Sequence, residues 1–201
     1  MQNTTNEIIE QIKKNRRGKI FFADEFRKFG ANDAVRQVLS RLCKKKILIR
    51  LSAGIYLYPK VDKDIGIVYP SIENIAKTIA KREKTRLIPT GTYALNALGL
   101  STQVPTKVVF LTDGTARIVK VGEKATIKFK RTVAKNLSYK GKISLLAISA
   151  LKEIGKDKVR DEDLQKIKEA LQHESQKNII HDIALAPVWI SDTILKLMNN
   201  E

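Results

Sequence analysis

From Asn32 to Lys44 the apolar residues Val35, Val38, Leu39 and Leu42 recur at i, i+3, i+4 and i+7, the spacing that gathers them on one stripe of an α-helix. Asp33, Arg36, Gln37, Ser40, Arg41 and Lys44 then share the opposite face. Directly behind this helix the chain passes through Lys45 and Lys46 into two apolar runs, ILIRL and IYLYP, joined at Ser52, Ala53 and Gly54. Such runs on either side of a glycine that accepts positive φ form a hairpin. A helix that must bury one stripe, coupled this closely to a two-stranded ribbon, restricts the first part of the chain to a small body. Earlier elements must cover the stripe.

Those earlier elements are legible. Thr5 or Asn6 caps a first helix with Ile8, Ile9 and Ile12 on one side, ending near Asn15 before the cationic turn Arg16, Arg17, Gly18. Residues 19–22 read as a short strand and residues 24–29 as a second short helix stopped by Gly30. Asn32 or Asp33 opens the third helix. Helix, strand, helix, helix, hairpin within roughly sixty residues is the order of a winged helix-turn-helix. In that arrangement the third helix enters a DNA groove, where Arg36, Gln37 and Ser40 are placed to hydrogen-bond base edges. Asn32, Arg41, Lys44, Lys45 and Lys46 meet phosphates, and Arg50 and Ser52 on the hairpin touch backbone or minor groove. The competing reading is a solvated helix face without a partner.

Charge favours a partner. Lys and Arg number 38 against 21 Asp and Glu, a formal charge of +17, more than solubility requires. Residues 1–60 carry 14 basic and 5 acidic side chains, residues 61–140 carry 15 and 6, and residues 141–201 carry 9 and 10. The excess therefore lies in the first two-thirds of the chain. Membrane surface and nucleic acid both attract such charge. No apolar run reaches the roughly 20 residues of a spanning helix, and MQNTTNEIIEQIKKN lacks a signal-peptide core. The expectation is a cytoplasmic protein whose partner is nucleic acid, with no membrane association. Cys43 stands alone, so no intramolecular disulfide and no cysteine-rich zinc site form, in keeping with a reducing compartment.

Catalytic chemistry finds little support. His173 and His181 are eight residues apart without a carboxylate at ligand spacing, and neither a metal nor a cofactor is expected. PTGTYALNALG lacks the lysine of a phosphate-binding loop. A magnesium-dependent nuclease needs an acid at one strand end and a second acid two residues before a lysine on the next strand. Asp113 fits the first requirement, but ARIVKV and TIKFK carry no acid, and Asp113–Gly114 is more simply a turn. The chain reads as a non-enzyme, with the nuclease as the weakest alternative.

Pro59, Gly66 and Pro70 interrupt every period and suggest a linker over residues 61–70. A helix follows from Ser71 with Ile72, Ile75, Ala76 and Ile79 apolar. A brief strand at Leu87 and Ile88 precedes a short helix that Thr90 or Thr92 caps and Gly99 ends. Three strands, Lys107–Thr112, Arg117–Val121 and Ala125–Arg131, are separated by hairpin chemistry at Asp113–Gly114 and Gly122–Glu123. On the last of them Ile127 and Phe129 face one way and Thr126, Lys128 and Lys130 the other, giving the sheet a cationic face. Lys142 onward is helical, with a break at Pro187. The whole reads as α+β. A winged helix-turn-helix over residues 1–60 and a linker over 61–70 precede an α/β C-terminal domain over 71–201, with a small antiparallel sheet reaching about residue 131 and helices over 142–199. Thr90, Thr92, Tyr93 and Asn96, together with Lys128 and Lys130, form a candidate functional surface on this second domain. Helix capping and core packing are the plainer account of the first four. The lysines open an alternative, an RNA-binding module, although single-strand readers display aromatic rings on such a face and Phe129 points to the other.

GANDAVRQVLSRLCKKKILIRLSAGIYLYP followed by IPTGTYALNALGLSTQVPTKVVFLTDGTARIVKVG resembles the AbiEi-like antitoxin family of bacterial type IV toxin-antitoxin systems over roughly residues 5–131. The helix AVRQVLSRL, the GIY of the ribbon, the stretch PTGTYALNALGLSTQVP and the strand end VVFLTDG carry the likeness. The resemblance implies a winged-helix domain that binds operator DNA and represses its own operon. It also implies a C-terminal domain acting as antitoxin against a nucleotidyltransferase-like toxin, a functional partner without a stable complex. By motif match the DNA-reading role falls to Arg36, Gln37, Ser40 and Arg41, with Arg50 on the wing. The last sixty or so residues carry no family signature, so the antitoxin role rests on the resemblance alone.

Overall fold

The computed structural model describes residues 2–199 and is mixed α+β, with small sheets and several helices. Two compact units are present: Met1–Ile79 with Val119–Lys124, and Ala80–Ile118 with Ala125–Glu201.

In the first unit, helix α1 (Gln2–Lys13) begins three residues before the expected cap at Thr5. Strand β1 (Ile20–Phe22) leads into a 3₁₀ helix over Ala23–Phe29, tighter than the α-helix expected there. Its start is tied by the Glu25 carboxylate, which accepts the Phe22 amide at 2.8 Å. Helix α2 (Asn32–Lys44) is the third helix of the sequence reading, entered from Ala31 without a side-chain cap rather than through Asn32 or Asp33. Val35, Val38, Leu39 and Leu42 are all buried, packed with Ile8 and Ile12 of α1 and with Phe21, Phe26, Leu48 and Tyr56. The periodic stripe is thus met by the elements that precede and follow it, as burial of about 25 cal/mol per Å² demands. Strands β2 (Ile49–Ser52) and β3 (Ile55–Leu57) pair antiparallel, turning at Ala53 and Gly54, where φ is +72°. β3 lies at the centre of a three-stranded sheet, order β1–β3–β2, with Phe21 opposite Tyr56. Arg17 closes this sheet's end by donating to the Pro59 carbonyl at 3.1 Å and stacking over the Tyr58 ring.

The segment expected as a linker is a second hairpin. β4 (Lys60–Asp62) and β5 (Gly66–Val68) pair antiparallel. Asp62 Oδ1 accepts the amides of Asp64 and Ile65, and Gly66 takes φ of +77°, so the residues that break the helical period build a turn. Helix α3 (Ile72–Glu83) follows, and its residues up to Ile79 belong to this unit rather than to the second.

In the second unit, β6 (Leu87–Pro89), helix α4 (Thr92–Ala97), β7 (Lys107–Thr112) and β9 (Ala125–Arg131) appear at the expected positions, as does β8 (Arg117–Val121), whose residues from Val119 on belong to the first unit. Their order, β6–β7–β9–β8, corrects the antiparallel sheet: β6 and β7 are antiparallel, but β7 and β9 are parallel. Asp113–Gly114 reverses the chain without making β7 and β8 neighbours. Pairing β9 with β7 instead sets Val108 beside Ile127 and Phe110 beside Phe129 on one face, with the two rings stacked at 6.3 Å. Tyr93 of α4 packs on Phe110 from that side, 5.5 Å between ring centroids. Helices α5 (Lys142–Ile154), α6 (Asp161–Leu171), α7 (Gln176–Ile183) and α8 (Val188–Asn199) enclose a core that includes Ile148, Leu151, Ile167, Ile179, Ile190 and Ile194. Trp189 packs against the same cluster. The break near Pro187 is where expected.

Candidate nucleic-acid interface

α2 offers its polar face because its apolar stripe is committed to the core. Asn32, Arg36, Gln37, Ser40, Arg41, Lys44, Lys45 and Lys46 are all exposed. At about 100° per residue, Asp33, Gln37, Ser40 and Lys44 form the ridge opposite the core, with Arg36 and Arg41 on its two flanks, roughly 140° apart. The four expected base-reading residues therefore do not form one cluster. Arg36 and Ser40 turn toward the β2–β3 hairpin, where they line an open groove of about 740 Å³ together with Lys44, Arg50, Gly54 and Tyr56. Arg41 lies on the far flank. Lys46 ends the helix in a left-handed conformation, φ +58°, and Ile47 and Leu48 both donate back to the Leu42 carbonyl as the chain turns into the hairpin.

Arg50 is exposed and stands opposite Tyr56 in the sheet register, which brings its charge to the groove. The register shifts between Arg50 and Ser52, a bulge that bends the strand just before the turn. Ser52 is half-buried beside this shift. Burial pushes the Tyr56 hydroxyl and the Cys43 thiol above their ordinary values, and the Arg50 charge opposes both shifts. Cys43, half-buried, is thus a neutral thiol on the groove wall. Arg36 reaches Asp33 at 3.8 Å with both side chains largely exposed, a contact too solvated to hold either in place. Asp33 is a groove-ridge residue that the sequence reading left out of the site; its position on the outward stripe was the available signal.

The candidate surface on the second unit divides. The Thr90 hydroxyl donates to the Val109 carbonyl at 3.0 Å, Asn96 Nδ2 donates to the carbonyls of Ser101 and Gln103, both at 3.2 Å, and Tyr93 is spent on Phe110. Gly91, not Thr90 or Thr92, occupies the N-cap of α4, and Thr92 is exposed. Lys128 and Lys130 are exposed beside Val109 and Leu111 on the face of the sheet opposite Phe129. Asp113 accepts the Arg86 amide at 2.8 Å and its Nε at 2.9 Å, which hold the carboxyl below its usual range. It clamps β6 to the end of β7. Among the described residues no group of three His, Cys, Asp or Glu side chains is arranged to hold a metal ion. No helix among them is long and apolar enough to cross a membrane.

One polar cluster escaped the sequence reading. Tyr139 and Lys152 lie 3.4 Å apart at a cavity of about 220 Å³ that Thr90, Ser149 and Glu153 also line. Burial lowers the Lys152 pKa and raises that of Tyr139, the latter with help from the Asp182 charge. Ser149, Lys152 and Glu153 share helix α5, but no residue spacing announces that Thr90 and Tyr139, from distant segments, meet them. No curated protein matches the chain. A family model matches residues 7–179, and the chain belongs to that family, DUF6088, a family of unknown function.

Proposed function

We propose that the first unit is a winged helix-turn-helix and that the protein is a DNA-binding transcriptional repressor. The observation that carries this reading is the groove between α2 and the β2–β3 turn. Three cations, Arg36, Lys44 and Arg50, line it, and the opposite stripe of α2 is locked in the core. A duplex lying there meets Arg36, Gln37 and Ser40 at base edges and Lys44, Lys45, Lys46 and Arg50 at phosphates, with Asn32 at the helix start. Arg41, on the far flank, stays with the backbone group and does not take the base-reading role that the resemblance implies. Asp33 on the ridge suits the exocyclic amine of cytosine.

The test is binding of the protein to the DNA upstream of its own gene against a scrambled duplex. Arg36→Ala is expected to weaken the specific complex by about 1–3 kcal/mol and to loosen base preference. Lys45→Ala weakens both duplexes alike and lowers the salt slope by about one. Equal losses on the two duplexes from Arg36→Ala would remove base readout from the reading.

The antitoxin role extends this proposal on the likeness of residues 5–131 to AbiEi-like antitoxins. It is tested by co-expression with a nucleotidyltransferase-like toxin encoded beside the gene, where rescue of growth is expected. The RNA-binding alternative draws on Lys128 and Lys130, and competition between operator duplex and structured RNA separates the two. For a nuclease, the engagement of Asp113 by Arg86 leaves its proposed metal-binding acid already committed.

A further inference from the structure

The β4–β5 hairpin is unlike the other strand pairs of this chain. Among the described residues its two strands pair only with each other, residues 60–67 are exposed, and its apolar side chains face solvent: Val61 is 60% exposed, Ile67 44% and Ile65 76%. Val61 and Ile67 stand directly opposite each other and so share one face. A two-stranded ribbon with a bare apolar face is marginal in water, and its free edge is a template for another strand.

The charges on β4 choose the partner. The strand reads Lys60, Val61, Asp62. Laid antiparallel against a second copy of itself about Val61, it sets Lys60 opposite Asp62 of that copy and Asp62 opposite Lys60. Cross-strand neighbours of opposite sign are stabilising, and like charges there are not. Gly66, Ile67 and Val68 of β5 offer no such match. Joined through β4, two hairpins become one four-stranded sheet with Val61 and Ile67 of both copies in a continuous apolar strip.

We propose that this hairpin is the self-association surface of the protein, two copies pairing through β4 on a two-fold axis at Val61. The contact is isologous and therefore closes on itself. Three-residue strands bury less than the roughly 1,200 Å² of a stable interface. Association is weak in the free protein and strengthens wherever two copies are held close together.

The experiment uses full-length protein without DNA, so that its outcome is independent of the DNA-binding reading. In a Cys43→Ser background, Val61→Cys is treated with a short bis-maleimide at high protein concentration, and a covalent dimer is expected. Ile65→Cys, though more exposed, sits at the turn, about 20 Å from its counterpart across the axis, and gives none. Equal cross-linking at both positions, or none at Val61→Cys, overturns the proposal. Charge supplies the second arm. Lys60→Glu lowers Val61→Cys cross-linking about tenfold. Asp62→Asn, which keeps the oxygen that caps the turn, lowers it when Lys60 is present and raises it in the Lys60→Glu variant. A change of the same sign in both backgrounds overturns the pairing register.

Discussion

At Asp182 a fully buried carboxylate gathers donors from two elements. It accepts the amides of Lys140 and Gly141, both at 2.8 Å, the Ser144 hydroxyl, and His181 Nδ1 at 2.8 Å. Burial raises its pKa, but these hydrogen bonds outweigh burial and hold it below the ordinary value of 3.8. The residue therefore fastens the start of α5 to α7. Asp182→Ala strands several buried donors and is expected to cost about 3 kcal/mol, read from urea midpoints at pH 7. Because the folded pKa is depressed, the carboxylate's contribution is present above the unfolded value and is lost as pH falls through the folded one. The gap between wild type and Asp182→Ala should thus narrow below pH 3.8. A gap that stays constant into that range would show that the charge is not what matters. On α2, single positions also divide by role, since Arg36 and Arg41 lie on opposite flanks of one helix. Arg41→Ala is expected to behave as Lys45→Ala does, weakening specific and scrambled duplex equally, in contrast to Arg36→Ala.

At the scale of elements, α2 is held by burial rather than by caps. Its N-cap, Ala31, makes no side-chain bond, whereas Leu39 is fully buried among Ile8, Ile12 and Phe26. Leu39→Ala should then lower unfolding free energy by about 2–5 kcal/mol, and the denaturation midpoint checks it. Asn32→Ala, a residue with no capping role, should leave that midpoint nearly unchanged and affect only DNA binding. The strands are less self-sufficient. β9 carries an alternating pattern that states which side chains face the core, and the observed burial of Ile127 and Phe129 follows it. The pattern does not state which strand lies beside it. The glycine turns Asp113–Gly114 and Gly122–Glu123 both permit a hairpin, yet only the second joins sheet neighbours, and β7 lies on the other side of β9 in parallel, with Phe110 matched to Phe129 and Val108 to Ile127.

For the whole molecule, the proposed DNA binding would take its affinity scale and salt dependence from charge. If Arg41, Lys44, Lys45, Lys46 and Arg50 each neutralise a phosphate, log K against log salt falls with a slope of about −4.5 for one copy and about twice that for two. Titration at several salt concentrations measures it. A slope near zero would leave the +17 charge without a nucleic-acid role. What the sequence by itself determined is local and periodic. The stripe Val35, Val38, Leu39, Leu42, the turn at Gly54, the bounds of β7, β8 and β9 and the helices after Lys142 follow from side-chain spacing and glycine conformation, which neighbours in the chain set. Tertiary structure decided everything that depends on which distant surface meets which. It made the residues around Asp62 and Gly66 a hairpin, placed β9 beside β7, spent Thr90 and Asn96 on backbone carbonyls, and brought Tyr139 to Lys152. It also turned Arg36 and Arg41 to different sides of one ridge. Such pairings are chosen by the apolar area and hydrogen bonds gained between segments far apart in the chain, and no local period records that sum.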